Sequence, residues 1–351
     1  MAKGRALVNP LDSLHDVHSL KVSPERLYSA EHAEILAGHT TDVYFIRTRD
    51  VLRSCDLLNS SVTAEVFARG SGCFAGGDEV LRLLRGRGLA IEILPEGESF
   101  APKDVVLRIR GPYGAFGAYE TVLLGMLASA TGWATAAREC VEAARGKKVL
   151  CFGARHVHPA IAPVMERTAM LVGGCQGASC ILGAKLGGQE PQGTIPHAAI
   201  IVVGDTLRVA SAYDALLEEE DPRIVLVDTF KDEAEETLRI AHALEGRLTG
   251  VRLDTPSERG GVTPGLVREV RARLDGAGFP EVQIFVSGGL NPERIARLVE
   301  EPVDAFGVGS YIAHGVFRDM TMDIKEVDGK PVAKRGRIPG IQENPKLRSI
   351  S

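Results

Sequence analysis

The second half of the chain repeats a simple rhythm of apolar and polar positions. Short apolar runs at residues 149–152, 198–203, 224–228, 250–253, 282–286 and 305–308 read as buried strands, and most are followed by a stretch with helical spacing. Residues 232–244 keep Ala, Leu and Ile at helical intervals. Thr263-Pro264 and Asn291-Pro292 each open a further helix, with a polar N-cap and proline at the first helical position. Strands alternating with helices argue for parallel β/α units, either an open doubly wound sheet or a closed barrel.

The first half is less regular. Residues 63–69 alternate apolar and polar and predict a strand, 76–84 a short helix, and 90–94 and 104–110 two more strands across a turn-rich link. A long helix is expected over 115–145. Its most apolar part, 121–137, is bounded by Glu120 and Arg138 and falls short of the roughly 20 apolar residues of a membrane span, so it reads as a buried helix. Beyond Gly315, residues 322–327 and 330–335 flank Asp328-Gly329 and predict a β-hairpin that returns to the N-terminal strands. The stretch from Arg337 reads as loose.

Composition narrows the class. The 351 residues suggest about two domains. Hydrophobic residues at 44% and charged residues at 25% are ordinary for a globular protein. With 41 basic and 46 acidic residues the net charge is −5, which disfavours bulk nucleic-acid binding. No apolar run follows the opening Met-Ala-Lys-Gly-Arg, so a cytoplasmic protein with neither nucleic-acid nor membrane partners is expected. Cys55, Cys73, Cys140, Cys151, Cys175 and Cys180 form no Cys-x-x-Cys pair and read as reduced core thiols. Glycine stands out, with 39 residues, about 11% against a typical 7%.

The glycines choose between the layouts. Ser287-Gly288-Gly289 closes one apolar run, and Gly307-Val-Gly309-Ser310 closes the next. Glycine amides at two consecutive strand ends suit the phosphate site formed after the late strands of a β/α barrel. Neither a Gly-x-Gly-x-x-Gly turn nor a P-loop occurs. Asp228 and Asp254 fall at the ends of adjacent strands, with Arg252 on the same side as Asp254. Such carboxylates can hold ribose hydroxyls or a hydrated Mg2+, or merely cap helices. Arg155, in Phe152-Gly-Ala-Arg155, has the donor fork to grip a carboxylate or phosphate, while His156 and His158 beside it read as surface residues. His197, after Gly193-Thr-Ile-Pro, suits a nucleophile, a proton carrier or a simple cap.

The expected fold class is therefore α/β: an incomplete or irregular β/α barrel over 147–316, an N-terminal α+β sandwich over 1–146, and a tail over 317–351 that completes the sandwich.

Taken in order, Thr41-Asp-Val-Tyr44, Glu120-Thr-Val-Leu-Leu124, Phe152-Gly-Ala-Arg155, Gly193-Thr-Ile-Pro-His197, Val251-Arg-Leu-Asp254, Ser287-Gly-Gly-Leu290 and Gly307-Val-Gly-Ser310 resemble the nicotinate phosphoribosyltransferase family, in its shorter archaeal-type form. That family lies within the type II phosphoribosyltransferases, with the quinolinate and nicotinamide enzymes. The resemblance spans residues 41–314 and implies ATP-coupled formation of nicotinate mononucleotide and pyrophosphate from nicotinate and phosphoribosyl pyrophosphate (PRPP), in NAD salvage. It implies that ATP phosphorylates His197, and that Asp228 and Asp254 hold Mg2+ and ribose hydroxyls. Ser287, Gly288, Gly289, Gly307, Gly309 and Ser310 would take the 5′-phosphate. Phe152 and Tyr44 would sandwich the pyridine, Arg155 and Arg252 would meet its carboxylate and the phosphates, and Asp42 and Tyr44 would come from the neighbouring subunit of a homodimer.

Two rivals remain. A quinolinate phosphoribosyltransferase resembles the chain in the helix over 134–141 and in Val227-Asp-Thr-Phe230, but its dicarboxylate needs more cations and it has no use for a phosphorylated His197. A non-catalytic phosphosugar-binding barrel would have no need of Asp254 and His197, both of which are present.

Overall fold

A computed structural model describes residues 8–350. It divides into two compact units. One runs up to Thr135 and resumes at Val316, and the other spans Ala136–Gly315. In chain order the strands are β1 (Ser61–Ala68), β2 (Gly72–Cys73), β3 (Ala90–Ile93), β4 (Ser99–Phe100), β5 (Val105–Pro112), β6 (Lys148–Cys151), β7 (Gly177–Ala178), β8 (Ile224–Leu226), β9 (Gly250–Leu253), β10 (Gln283–Val286), β11 (Ala305–Val308), β12 (Met320–Val327), β13 (Lys330–Pro331) and β14 (Arg348–Ile350).

The first unit is built on an antiparallel sheet of order β13-β12-β1-β5-β3-β14. Period-two alternation gives it two chemically distinct faces. Ala64 opposes Ile109 and Val66 opposes Leu107, while Ile91 and Ile93 continue that face on β3. These side chains are buried in one apolar cluster with Val80, Leu83 and Leu84 of helix Gly77–Leu84 and with Leu123 and Leu127 of helix Glu120–Ala143. The opposite face carries Glu65, Arg108 and Glu92 in register across three strands. It is covered as well: Arg108 Nε donates to Glu65 at 2.8 Å, Nη1 to Glu92 at 2.6 Å and Nη2 to the Gln342 carbonyl at 2.5 Å. The Gln342 amide donates back to Glu65. The C-terminal tail thus forms the second layer of this sandwich. Its hairpin turns at Asp328 and Gly329, both with positive φ, the conformation a tight two-residue turn requires. The end of the tail is ordered where looseness was expected, because β14 adds an antiparallel edge to β3.

The second unit is a curled, all-parallel sheet of order β7-β6-β11-β10-β9-β8, an open half-barrel. β11, at its centre, is apolar and buried on both faces, as a sheet covered by helices requires, whereas β9 carries Arg252. The expected strand at 198–203 is instead a helix, His197–Val203. Pro196 at its N-cap and Gly204 in left-handed conformation at its C-cap fit a helix better than a strand, and only Ile200 of its apolar run is fully buried. This helix falls in the chain between the edge strands β7 and β8. All six strands point the same way, so one edge of the sheet collects their C-terminal ends: Phe152 after β6, Asp228 after β8, Asp254 after β9, Ser287 after β10 and Gly309 after β11.

Candidate active site

Two of these strand ends, after β8 and β9, meet His197, the first residue of its helix. Its Nδ1 pairs with the Thr229 hydroxyl at 3.0 Å. Its Nε2 faces Asp254 at 3.5 Å and Asp228 at 3.8 Å. Asp254 also accepts a 2.6 Å hydrogen bond from Ser287, whose hydroxyl in turn accepts from Arg252 Nε at 2.8 Å. Arg252 Nη1 donates to Thr194 at 3.0 Å, and the guanidinium lies over the Phe152 ring, 5.2 Å from its centroid. One connected array therefore joins Phe152, Thr194, His197, Asp228, Thr229, Arg252, Asp254 and Ser287.

The two carboxylates are pushed apart chemically. The Asp228 side chain is 1% exposed and neither oxygen has a hydrogen-bond partner. Burial raises its pKa from the ordinary value, against the opposing pull of the His197 charge. At Asp254 burial also pushes upward but is outweighed by His197, the Ser287 hydroxyl and the Arg252 charge, so its pKa is lowered. The Asp254 carboxylate raises the pKa of His197, burial lowers it in part, and the Asp228 charge raises it again. His197 acts as the resident counter-ion of the pair. Asp254, whose side chain is 22% exposed, is the carboxylate a ligand can reach directly.

The glycines serve two purposes. Gly288 and Gly289 have φ of +93° and +59°, a turn that L side chains rarely adopt, and both carbonyls accept from Arg294 Nη1. Gly307 lies inside β11 rather than at its end, and a Cβ there would meet Phe152 Cε2 at 2.5 Å. Its missing side chain makes room for the aromatic ring. A Cβ at Gly309 would meet the Phe152 carbonyl at 2.8 Å, and Ser310 opens the short helix after it. Arg155 is exposed on a 3-10 turn, Ala154–His156. His156 and His314 stack edge-to-face at 5.9 Å, and His156 is lowered in pKa by burial, with Arg155 and His314 adding to it. His158 is exposed and accepts from the Ala160 amide.

Asp42 and Tyr44 belong to the first unit. Asp42 is the N-cap of helix Val43–Ser54 and accepts from the Thr121 hydroxyl at 2.9 Å, and Tyr44 is 54% exposed. Their expected place in a site shared between subunits rests on the resemblance alone. Sequence reasoning missed Thr194, Thr229, Arg294 and the fully buried Glu166. Thr194 and Thr229 sit next to motifs already noted, but nothing in the local pattern marks Glu166 as other than a helical glutamate.

The fold is that of the type II phosphoribosyltransferases. The chain matches the quinolinate phosphoribosyl transferase N-terminal domain over residues 42–131 and the C-terminal domain over residues 133–323, and it belongs to that family. A crystal structure of nicotinate-nucleotide pyrophosphorylase from Pyrococcus furiosus is 46% identical, with a TM-score of 0.86, over 93% of this chain and 86% of that one. A probable carboxylating nicotinate-nucleotide pyrophosphorylase from Archaeoglobus fulgidus is 28% identical over 260 residues, covering 72% of this chain and 90% of the relative. A nicotinate phosphoribosyltransferase from Mycobacterium tuberculosis is 32% identical over 254 residues, and there the chain spans only 53% of the relative's length.

These findings correct the expected activity. The quinolinate family covers most of the chain, and the Pyrococcus furiosus pyrophosphorylase matches 93% of it, so the ATP-coupled nicotinate enzyme is overturned. The correction extends to ATP as a partner, to the ligase class and to a phosphorylated His197. Two carboxylates stand against His197 Nε2, a setting that favours imidazolium and repels an incoming phosphoryl group. What remains shown is the family and its fold. Among the described residues no helix is long and apolar enough to cross a membrane.

Proposed function

We propose that the protein is a quinolinate phosphoribosyltransferase. It joins the phosphoribosyl group of PRPP to quinolinate, releases pyrophosphate and carbon dioxide, and leaves nicotinate mononucleotide. The observation that carries this reading is the match to both quinolinate phosphoribosyl transferase domains across residues 42–323. The basic groups of the second unit support it. Arg155 sits on the turn that follows Phe152, and Arg252 covers the Phe152 ring. A pyridine with two carboxylates needs such a set.

In the reaction the ring nitrogen attacks the anomeric carbon as the bond to pyrophosphate breaks. The 2-carboxylate then leaves as carbon dioxide, and a proton takes the electron pair left at that carbon. Asp254, held ionised, opposes the positive charge that develops on the ribose ring. The Gly288-Gly289 turn and Gly309-Ser310 take the 5′-phosphate, and Phe152 is the platform for the pyridine. The donor set also fits Mg2+. Asp254 is reachable and Asp228 has two unbonded oxygens, and an ion held by one or two carboxylates and substrate oxygens needs no larger protein cage. Bound there, Mg2+ would neutralise the charge of the departing pyrophosphate.

The test is quinolinate labelled in its 2-carboxylate, incubated with PRPP and Mg2+ and without ATP. Labelled carbon dioxide and nicotinate mononucleotide are expected in equal amounts. Mononucleotide without labelled carbon dioxide, or no turnover at all, overturns the proposal.

A further inference from the structure

Glu166 is a charged residue that the mechanism above does not use. It lies on helix Ala162–Leu171 with 0% exposure. Its carboxylate is occupied by two separate loops of the second unit. Oε1 accepts from the Ala154 amide at 2.9 Å and from the Ser179 hydroxyl at 3.2 Å, and Oε2 accepts from the Cys180 amide at 2.5 Å. Burying a carboxylate is costly, and hydrogen bonds to the charged form are what offset it. Here the three donors belong to the turn that follows β6 and the segment that follows β7.

Both loops lead into the site. Ala154 immediately precedes Arg155, so fixing its amide fixes the 3-10 turn that carries the guanidinium. A Cβ at Gly153 would meet Met165 Cε at 2.6 Å, so the turn rests directly on the helix that bears Glu166. On the other side, the Ala178 carbonyl next to Ser179 accepts from the Gln192 amide at 2.8 Å, and the chain continues from Gln192 to Thr194, the partner of Arg252.

We infer that Glu166 is a positioning residue for the pyridine end of the site: it holds Arg155 and Phe152 in the geometry that receives the pyridine carboxylates. This rests on the proposed function for the identity of that substrate. Glu166→Gln keeps one acceptor but sets an amide N–H2 against one of the two backbone amides. Its KM for quinolinate should rise about ten-fold while KM for PRPP stays within about two-fold. Arg155→Ala should also raise KM for quinolinate, and adding Glu166→Gln to it should cause little further loss, because both changes remove one interaction. A purely structural role predicts equal damage to both KM values, or effects of Arg155→Ala and Glu166→Gln that multiply; either result overturns the inference. Ser179→Ala removes one of the three bonds without disturbing the charge. It serves if Glu166→Gln does not fold, with a smaller rise in quinolinate KM expected and unchanged KM values overturning the inference. Quinolinate turnover by the wild-type protein is measured first, so that failure of the substrate assignment is distinguished from failure of the positioning role.

Discussion

Gly307→Ala tests the account of the pyridine platform. Gly307 sits in the middle of β11, paired with Leu150 of β6, and the Phe152 amide donates to the Val308 carbonyl at 2.8 Å. The strand therefore has little freedom to retreat. An added Cβ would stand 2.5 Å from Phe152 Cε2, 2.8 Å from Cδ2 and 3.2 Å from Ser287 Cβ. Carbon atoms prefer a separation of about 3.5–4.0 Å, so the ring must yield by about 1 Å. The Arg252 guanidinium stacked on that ring must yield with it. Overpacking of this kind costs about 1–3 kcal/mol, read as a lower urea midpoint. Displacing the platform should raise KM for quinolinate about ten-fold, equivalent to about 1.4 kcal/mol, with a smaller effect on PRPP. Phe152→Leu in the Gly307→Ala background removes the clashing ring and should restore much of the lost stability without restoring KM. An alanine variant with the wild-type midpoint and the wild-type KM would refute the reasoning.

Other consequences follow from the same contacts. Asp254→Asn removes the charge that opposes the developing cation, so kcat should fall by on the order of 100-fold while the circular-dichroism spectrum stays that of the folded protein; unchanged turnover removes Asp254 from the mechanism. His197 should titrate above its ordinary pKa of 6.5 in an NMR pH series, and Asp254→Asn should bring it down. Because the folded-state pKa is the higher one, the stability His197 contributes is complete below pH 6.5 and is lost as pH rises through its folded pKa. His197→Gln should therefore cost more stability at pH 6 than at pH 9, and an equal loss at both contradicts the ion-pair reading. In the first unit, Glu65→Ala leaves Arg108 short of one partner in a buried setting. A loss of about 3 kcal/mol in urea unfolding is expected, and Glu65→Met with Arg108→Met should lose less; an unshifted midpoint for Glu65→Ala would count against the network.

Much of this architecture was legible because burial imposes periodicity. The apolar runs at 149–152, 224–228, 250–253, 282–286 and 305–308 are strands or strand ends, and the Asp328-Gly329 turn marks the hairpin. The run at 198–203 misled because a short apolar segment reads the same in either conformation, and the signal that decides it lies in Pro196 and Gly204 at its ends. Asp228, Asp254 and His197 could be suggested individually, since strand ends of a parallel sheet share one edge. Their separation into a closed carboxylate and an open one depends on packing that no local pattern records. Gly307 was legible as special, but its reason, the ring of Phe152, comes from a strand more than 150 residues earlier. The preference for nicotinate over quinolinate rests on the Gly193–His197 motif, and the family match overrides it. Two cations, Arg155 and Arg252, are what the proposed dicarboxylate requires.

The central claim is the substrate, and a direct comparison tests it. The purified protein is given PRPP and Mg2+ with either quinolinate or nicotinate, each with and without ATP, and kcat/KM is measured for mononucleotide formation. Turnover of quinolinate should be at least 100-fold more efficient than that of nicotinate, with carbon dioxide released and ATP without effect. Efficient use of nicotinate stimulated by ATP, with quinolinate left untouched, would contradict it.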